Sequence, residues 1–194
     1  LLKVYQKVKL TRAGGVEMDL IKKAYDFAKE KHKNQVRKYT GEPYFVHPEE
    51  VASIIEKHYG SNNMIAAALL HDVVEDQPVT IEEIEELFGK PVAKLVEELT
   101  DPSKPSDGNR QARRQIDLEH TAKSSPDGKS IKLADLISNT ASIVQYDTDF
   151  ARVYLREKER LLDVLTEGDP ELFRIARDQL LESILYLKER GLWK

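Results

Sequence analysis

Residues 64–76 read Met64-Ile65-Ala66-Ala67-Ala68-Leu69-Leu70-His71-Asp72-Val73-Val74-Glu75-Asp76. The run from Met64 to Leu70 is apolar on every side of a helix, which marks a segment buried all round. His71, Asp72, Glu75 and Asp76 follow at once. Carrying ionised carboxylates into a core costs several kcal/mol each unless charge partners or a metal compensate. At helical spacing His71 stands over Glu75 and Asp72 over Asp76, giving two polar stripes one turn deep. That arrangement calls for a cation, and the stretch itself supplies none. The competing reading is a polar helix end that faces water. Neighbouring positions on a helix also diverge by about 100°, so His71 and Asp72 alone make a poor chelate and further ligands must come from elsewhere.

Outward from this stretch the pattern is helical. Met18 to Lys33 carries Leu20, Ile21, Ala24, Phe27 and Ala28 at helical spacing. Gln35 to Pro48 breaks the period with Gly41, Pro43 and Pro48 and reads as a loop, and Glu49 to His58 as a short helix. Thr80 with Glu83 forms a capping box that opens Ile81 to Phe88, and Gly89 closes it. Pro91 leads Val92 to Leu99, and Asp101 to Gly108 is a proline-containing loop whose composition predicts mobility. Helices follow over about Arg110 to Lys123, Ser130 to Gln145 and Phe150 to Leu165, and Asp169-Pro170 starts a last one that ends near Arg190-Gly191. With no alternating β-branched runs and no internal repeat, the fold class is all-α. The expectation is a single compact helical domain over residues 1–194, with a core over 18–165, a C-terminal helix over 169–190 and about eight to ten helices.

Composition narrows the setting. A 40% hydrophobic and 33% charged chain of 194 residues is that of a globular protein. No apolar run approaches the roughly 20 residues of a membrane span and no signal-peptide pattern is present, so no membrane association is expected. The chain has no cysteine, which excludes disulfides and thiolate metal sites and fits a cytoplasmic setting best. A net charge of −4 argues against a nucleic-acid surface, although a few local Lys and Arg suffice for small nucleotides.

Two positions offer the missing ligands. His47 lies in Pro43-Tyr44-Phe45-Val46-His47-Pro48, where a packed loop histidine is the bland alternative. Asp135 interrupts the apolar Ile131-Lys132-Leu133-Ala134-Asp135-Leu136-Ile137, where Lys132 could serve as an ordinary partner. Taken together, His47, His71, Asp72 and Asp135 make a set of two imidazoles and two carboxylates. Such donors suit Mn²⁺, Mg²⁺, Fe²⁺ or Zn²⁺ and leave positions for water.

These pieces resemble, in order, the hydrolase domain of the RelA/SpoT alarmone enzymes, and most of all the stand-alone small alarmone hydrolases of the HD type. The matching stretches are Val36 to Pro48, Ala67 to Asp76, Phe88-Gly89 with Val92 to Thr100, Ser124-Ser125-Pro126, and Lys132-Leu133-Ala134-Asp135 with Asn139. The resemblance implies an HD-type helical fold in which His47, His71, Asp72 and Asp135 hold one Mn²⁺ per chain. It implies that Glu75 and Asp76 act around the attacking water, in an order left open. Arg37 and Lys38 would line the nucleotide pocket and Asn139 would bond the ribose. Lys132, with Arg113, Arg114 and Lys129, could add phosphate contacts, though solvated helix faces explain most of these equally well. The implied reaction removes pyrophosphate from the 3′ position of guanosine tetra- or pentaphosphate. The implied partner is a small nucleotide rather than a nucleic acid or a membrane, and a homodimer is compatible with it. No synthetase or regulatory domain is expected, so the protein would only degrade its substrate.

The chain departs from the family at Ala141, where an Arg is usual, and at Gln77-Pro78. Both bear on substrate choice, since a missing guanidinium changes how a base or phosphate is held. The alternatives are therefore adenosine alarmones, the 2′-phosphate of NADPH or a nucleoside monophosphate. Outside enzymes the alternatives are a catalytically silent nucleotide sensor and a structural helical module.

Overall fold

In a computed structural model of the chain, residues 17–58 and 60–193 are described. The side chains of residues 17–19, 141 and 142 lie outside that description, and with them Met18 of the first expected helix and the departure at Ala141. The chain divides into two compact units, one up to Val96 and one from Glu97.

The first unit holds α1 (Glu17–Lys31), α2 (Val46–Lys57), α3 (Asn62–Leu70), the single turn α4 (Val73–Asp76) and α5 (Ile81–Phe88). Helix α6 (Lys90–Leu99) spans the division. Helices α1 and α2 both pack on α3, whose residues Ile65 to Leu70 are all buried, as an all-round apolar run requires. Ala66, Ala67 and Ala68 on α3, Ala24 and Ala28 on α1 and Ala52 on α2 are all nearly inaccessible. Small side chains let the helix axes approach closely. Leu69 and Leu70 then supply about 1.5–3 kcal/mol each on burial.

Several boundaries differ from expectation. Helix α2 starts at Val46 rather than Glu49, so His47 and Pro48 belong to its first turn and not to a loop. A first-turn proline lacks an N–H that would have had no intrahelical partner anyway, so Pro48 starts the helix instead of excluding it. The long buried segment also stops at Leu70. His71 and Asp72 form a turn before α4, although Asp76 N still donates to Asp72 O at 3.0 Å. Helix α5 begins as read: Thr80 Oγ1 accepts from Glu83 N at 3.2 Å, and Gly89 closes it with φ +85°.

The second unit holds α7 (Arg110–Thr121), α8 (Pro126–Tyr146), α9 (Thr148–Val164) and α10 (Pro170–Glu189). Helix α8 packs against α9 and α10, and its Ile131, Leu133, Ala134 and Leu136 are all buried. It begins a turn earlier than Ser130, because Ser125 Oγ caps Gly128 N at 3.2 Å and Pro126 takes the first turn. Buried Lys129 pairs with Glu167, so its ammonium is committed inside this unit rather than to a solvated face. In the segment 101–108, Ser103 N donates to buried Asp117 at 3.2 Å, and Lys104 N to Asp107 at 2.7 Å over a 3₁₀ turn, Pro105–Asp107. Asp147 and Asp169 cap α9 and α10. Among the described residues no helix is long and apolar enough to cross a membrane.

Candidate metal centre

His71 and Asp72 lie in the turn between α3 and α4, both with right-handed helical backbone, and His71 Nε2 is 3.1 Å from Asp72 Oδ2. His47 Nε2, from the first turn of α2, lies 3.7 Å from the same oxygen. One donor atom from each of the three residues falls within 4.8 Å of the other two. The imidazoles are buried and meet edge to face at 5.2 Å, while Asp72 is half-buried.

Three features fit this cluster to a divalent ion. His71 Nδ1 donates to Ala68 O at 2.8 Å, which puts the ring proton on Nδ1 and leaves the Nε2 lone pair for the cluster. Tyr44 Oη donates to Asp72 Oδ2 at 2.6 Å and holds the carboxylate in place. Imidazole nitrogen with carboxylate oxygen is the donor set of borderline divalent cations. His47, His71 and Asp72 therefore form a candidate divalent-metal site in the first unit.

Glu75 and Asp76 are exposed on α4, immediately beyond these ligands. Asp76 Oδ2 accepts from Gln35 Nε2 at 2.8 Å. Arg37 is half-buried and Lys38 exposed in a tight reversal, where Val36 pairs with Pro43 and Gly41 takes φ +72°. Only glycine adopts that left-handed turn without strain. Lys38 Nζ lies over the Tyr39 ring, 4.8 Å from its centroid.

The remaining named residues belong to the second unit. Buried Asp135 accepts from Asn139 Nδ2 at 2.6 Å, one turn on along α8. Lys132 Nζ reaches Leu99 O at 3.3 Å and Asp101 Oδ1 at 3.7 Å. A cavity of about 60 Å³ lies there among Asp101, Arg114, Asp117, Lys132, Glu157 and Lys158. Arg114 pairs in it with Asp101 at 2.8 Å and Asp117 at 3.2 Å. Burial pushes the Lys158 ammonium below the usual lysine range, with Asp135 opposing that shift. Tyr44, Gln35, the buried Asp117 and the half-buried Lys158 carry no role in the sequence reading. Their positions show only once the chain is folded.

The chain belongs to the HD-domain family, whose model matches residues 24–153. Within that family it is 41% identical over 128 residues to the human protein named guanosine-3′,5′-bis(diphosphate) 3′-pyrophosphohydrolase MESH1, covering 64% of this chain and 70% of that one. It is 43% identical over 123 residues to the Aquifex aeolicus guanosine-3′,5′-bis(diphosphate) 3′-pyrophosphohydrolase, covering 63% of this chain but 18% of that longer protein. Among solved structures, a metazoan ortholog of SpoT that hydrolyses ppGpp superposes with a TM-score of 0.76 at 29% identity, covering 94% of this chain and 99% of the other.

Proposed function

We propose that this protein is a Mn²⁺-dependent hydrolase that removes the 3′-diphosphate of guanosine tetra- or pentaphosphate, releasing pyrophosphate and GDP or GTP. The observation that carries the reading is the convergence of His47, His71 and Asp72 directly before an exposed Glu-Asp pair. The human and Aquifex relatives, whose names state this reaction, support it. Asp135 is assigned as the remaining carboxylate ligand by family resemblance, and both units are taken as one catalytic domain because the family match runs through both.

When bound, a divalent ion supplies positive charge that neutralises phosphate oxygens and acidifies water. The chain's own residues supply the rest. One carboxylate of Glu75 and Asp76 takes a proton from water as its oxygen attacks the phosphorus attached to O3′. As the P–O3′ bond breaks, the other, entering the step as the carboxylic acid, gives its own proton to the ribose oxygen. Arg37 and Lys38 hold base and phosphate, Asn139 the ribose and Lys132 a phosphate oxygen.

The test is incubation with guanosine tetraphosphate and Mn²⁺, with and without chelator. Chelator-sensitive release of pyrophosphate with GDP is the expected result. Release of orthophosphate instead, from NADPH or a nucleoside monophosphate in parallel reactions, would move the assignment to another substrate of the same chemistry.

A further inference from the structure

Asp76 sits at the end of a four-residue helix, exposed to solvent, and the chain turns extended at Gln77. A carboxylate so placed samples several rotamers, yet proton transfer needs it within hydrogen-bond reach of one water. The structure shows what holds it. Gln35 Nε2 donates to Asp76 Oδ2 at 2.8 Å. Gln35 Oε1 lies 2.7 Å from His32 Nδ1 and accepts from Gln77 Nε2 at 2.9 Å.

An amide oxygen can only accept, so His32 must carry its proton on Nδ1. With the oxygen held by two donors, the amide nitrogen has one direction left, toward Asp76. A flipped amide would turn its oxygen on the Asp76 carboxylate, an acceptor, so the amide nitrogen faces Asp76 and the oxygen faces His32 and Gln77. His32 is itself fixed. Only 1% exposed, just past α1, it lies against the Tyr44 ring at 5.0 Å, and its Nε2 takes no hydrogen bond among the described residues. Among the described residues, the only hydrogen bond of its ring is the one to Gln35. A buried histidine that spends its single bond on a glutamine has the geometry of a brace.

We propose that Gln35 is a positioning residue for Asp76, and that His32, with Gln77, sets the orientation of the Gln35 amide. The proposal rests on Asp76 acting in the hydrolysis assigned above.

The test compares Gln35→Met, His32→Leu and His32→Asn by steady-state kinetics on guanosine tetraphosphate with Mn²⁺, alongside bound-metal content and thermal midpoints. Gln35→Met keeps the length of the side chain and removes the donor. It is expected to lower kcat about 10- to 100-fold with KM and metal content unchanged. His32→Leu is expected to lower kcat likewise, and His32→Asn, whose amide nitrogen takes the place of Nδ1, to restore most of it. Wild-type kcat in Gln35→Met, or an Asn variant no better than the Leu variant at equal thermal midpoint, overturns the proposal. NMR of the side-chain nitrogens gives a readout independent of turnover. Asp76→Ala is expected to move the Gln35 amide and the His32 Nδ1 signals together, and movement of neither overturns the brace. If the wild-type protein leaves guanosine tetraphosphate intact while those signals move together, the substrate assignment fails and the brace stands.

Discussion

Tyr44 Oη donates a 2.6 Å hydrogen bond to Asp72 Oδ2, the oxygen on which His71 Nε2 and His47 Nε2 converge at 3.1 and 3.7 Å. A hydroxyl bonded to a carboxylate is short and strong because the acceptor is charged. Here it fixes which oxygen faces the imidazoles. Tyr44→Phe should therefore weaken divalent-metal binding by about 10- to 100-fold while leaving the helices intact. Metal titration followed by calorimetry checks this, and unchanged affinity would remove Tyr44 from the site.

Ligand and proton-transfer roles separate by mutation. Asp72→Ala should lose bound metal and hydrolysis together. Glu75→Ala should keep its metal and lose turnover, by about 100-fold or more if it transfers a proton. Metal analysis of both purified variants alongside their kcat decides it. Normal turnover by Glu75→Ala would sink its assignment.

Lys158 makes stability depend on pH in a defined direction. Burial holds its folded pKa below the ordinary 10.5, so between the two values the unfolded chain binds more protons than the native one. Stability therefore rises with pH through that window, and the penalty is fully present below it. Lys158→Met should raise the urea midpoint at pH 7, by an amount that shrinks as pH approaches 10.5. A difference independent of pH would contradict this.

Helix α10 depends on its first turn. Asp169 Oδ1 accepts from Glu171 N at 3.0 Å and Leu172 N at 2.8 Å, and Leu172 is buried directly behind. Asp169→Ala should cost about 1–2 kcal/mol, and Asp169→Ser should recover much of it. Chemical denaturation of the three proteins measures the difference.

Much of this architecture can be read from residue type and spacing. The buried α3, the Thr80 cap, the Gly89 stop and the Asp169-Pro170 start each carry a local signal, and the structure contains them all. The expected starts of α2 and α8 fall late: Pro48 reads as a break, whereas a proline in a first turn begins a helix, and Pro126 likewise stands in the first turn of α8. The break at His71 has no glycine or proline to announce it, so only the folded chain reveals it. The site divides in the same way. His47, His71 and Asp72 stand out because imidazoles and a carboxylate among apolar residues need a partner. Tyr44, Gln35 and His32 do not, since neutral hydrogen-bonding groups disturb neither periodicity nor charge. The pairing of Lys129 with Glu167 joins positions far apart in sequence, which no local pattern encodes.

The reversal between α1 and α2 links two tasks. Gln35 and Tyr44, at its two ends, are joined by a 2.9 Å bond from Tyr44 N to Gln35 O and reach Asp76 and Asp72 respectively. Between them the turn presents Arg37 and Lys38. Surface loops commonly absorb insertions and deletions without harm. Here the backbone bonds that close the base of the reversal also fix where Gln35 and Tyr44 stand, so a change that breaks this pairing would shift the grip on both carboxylates at once.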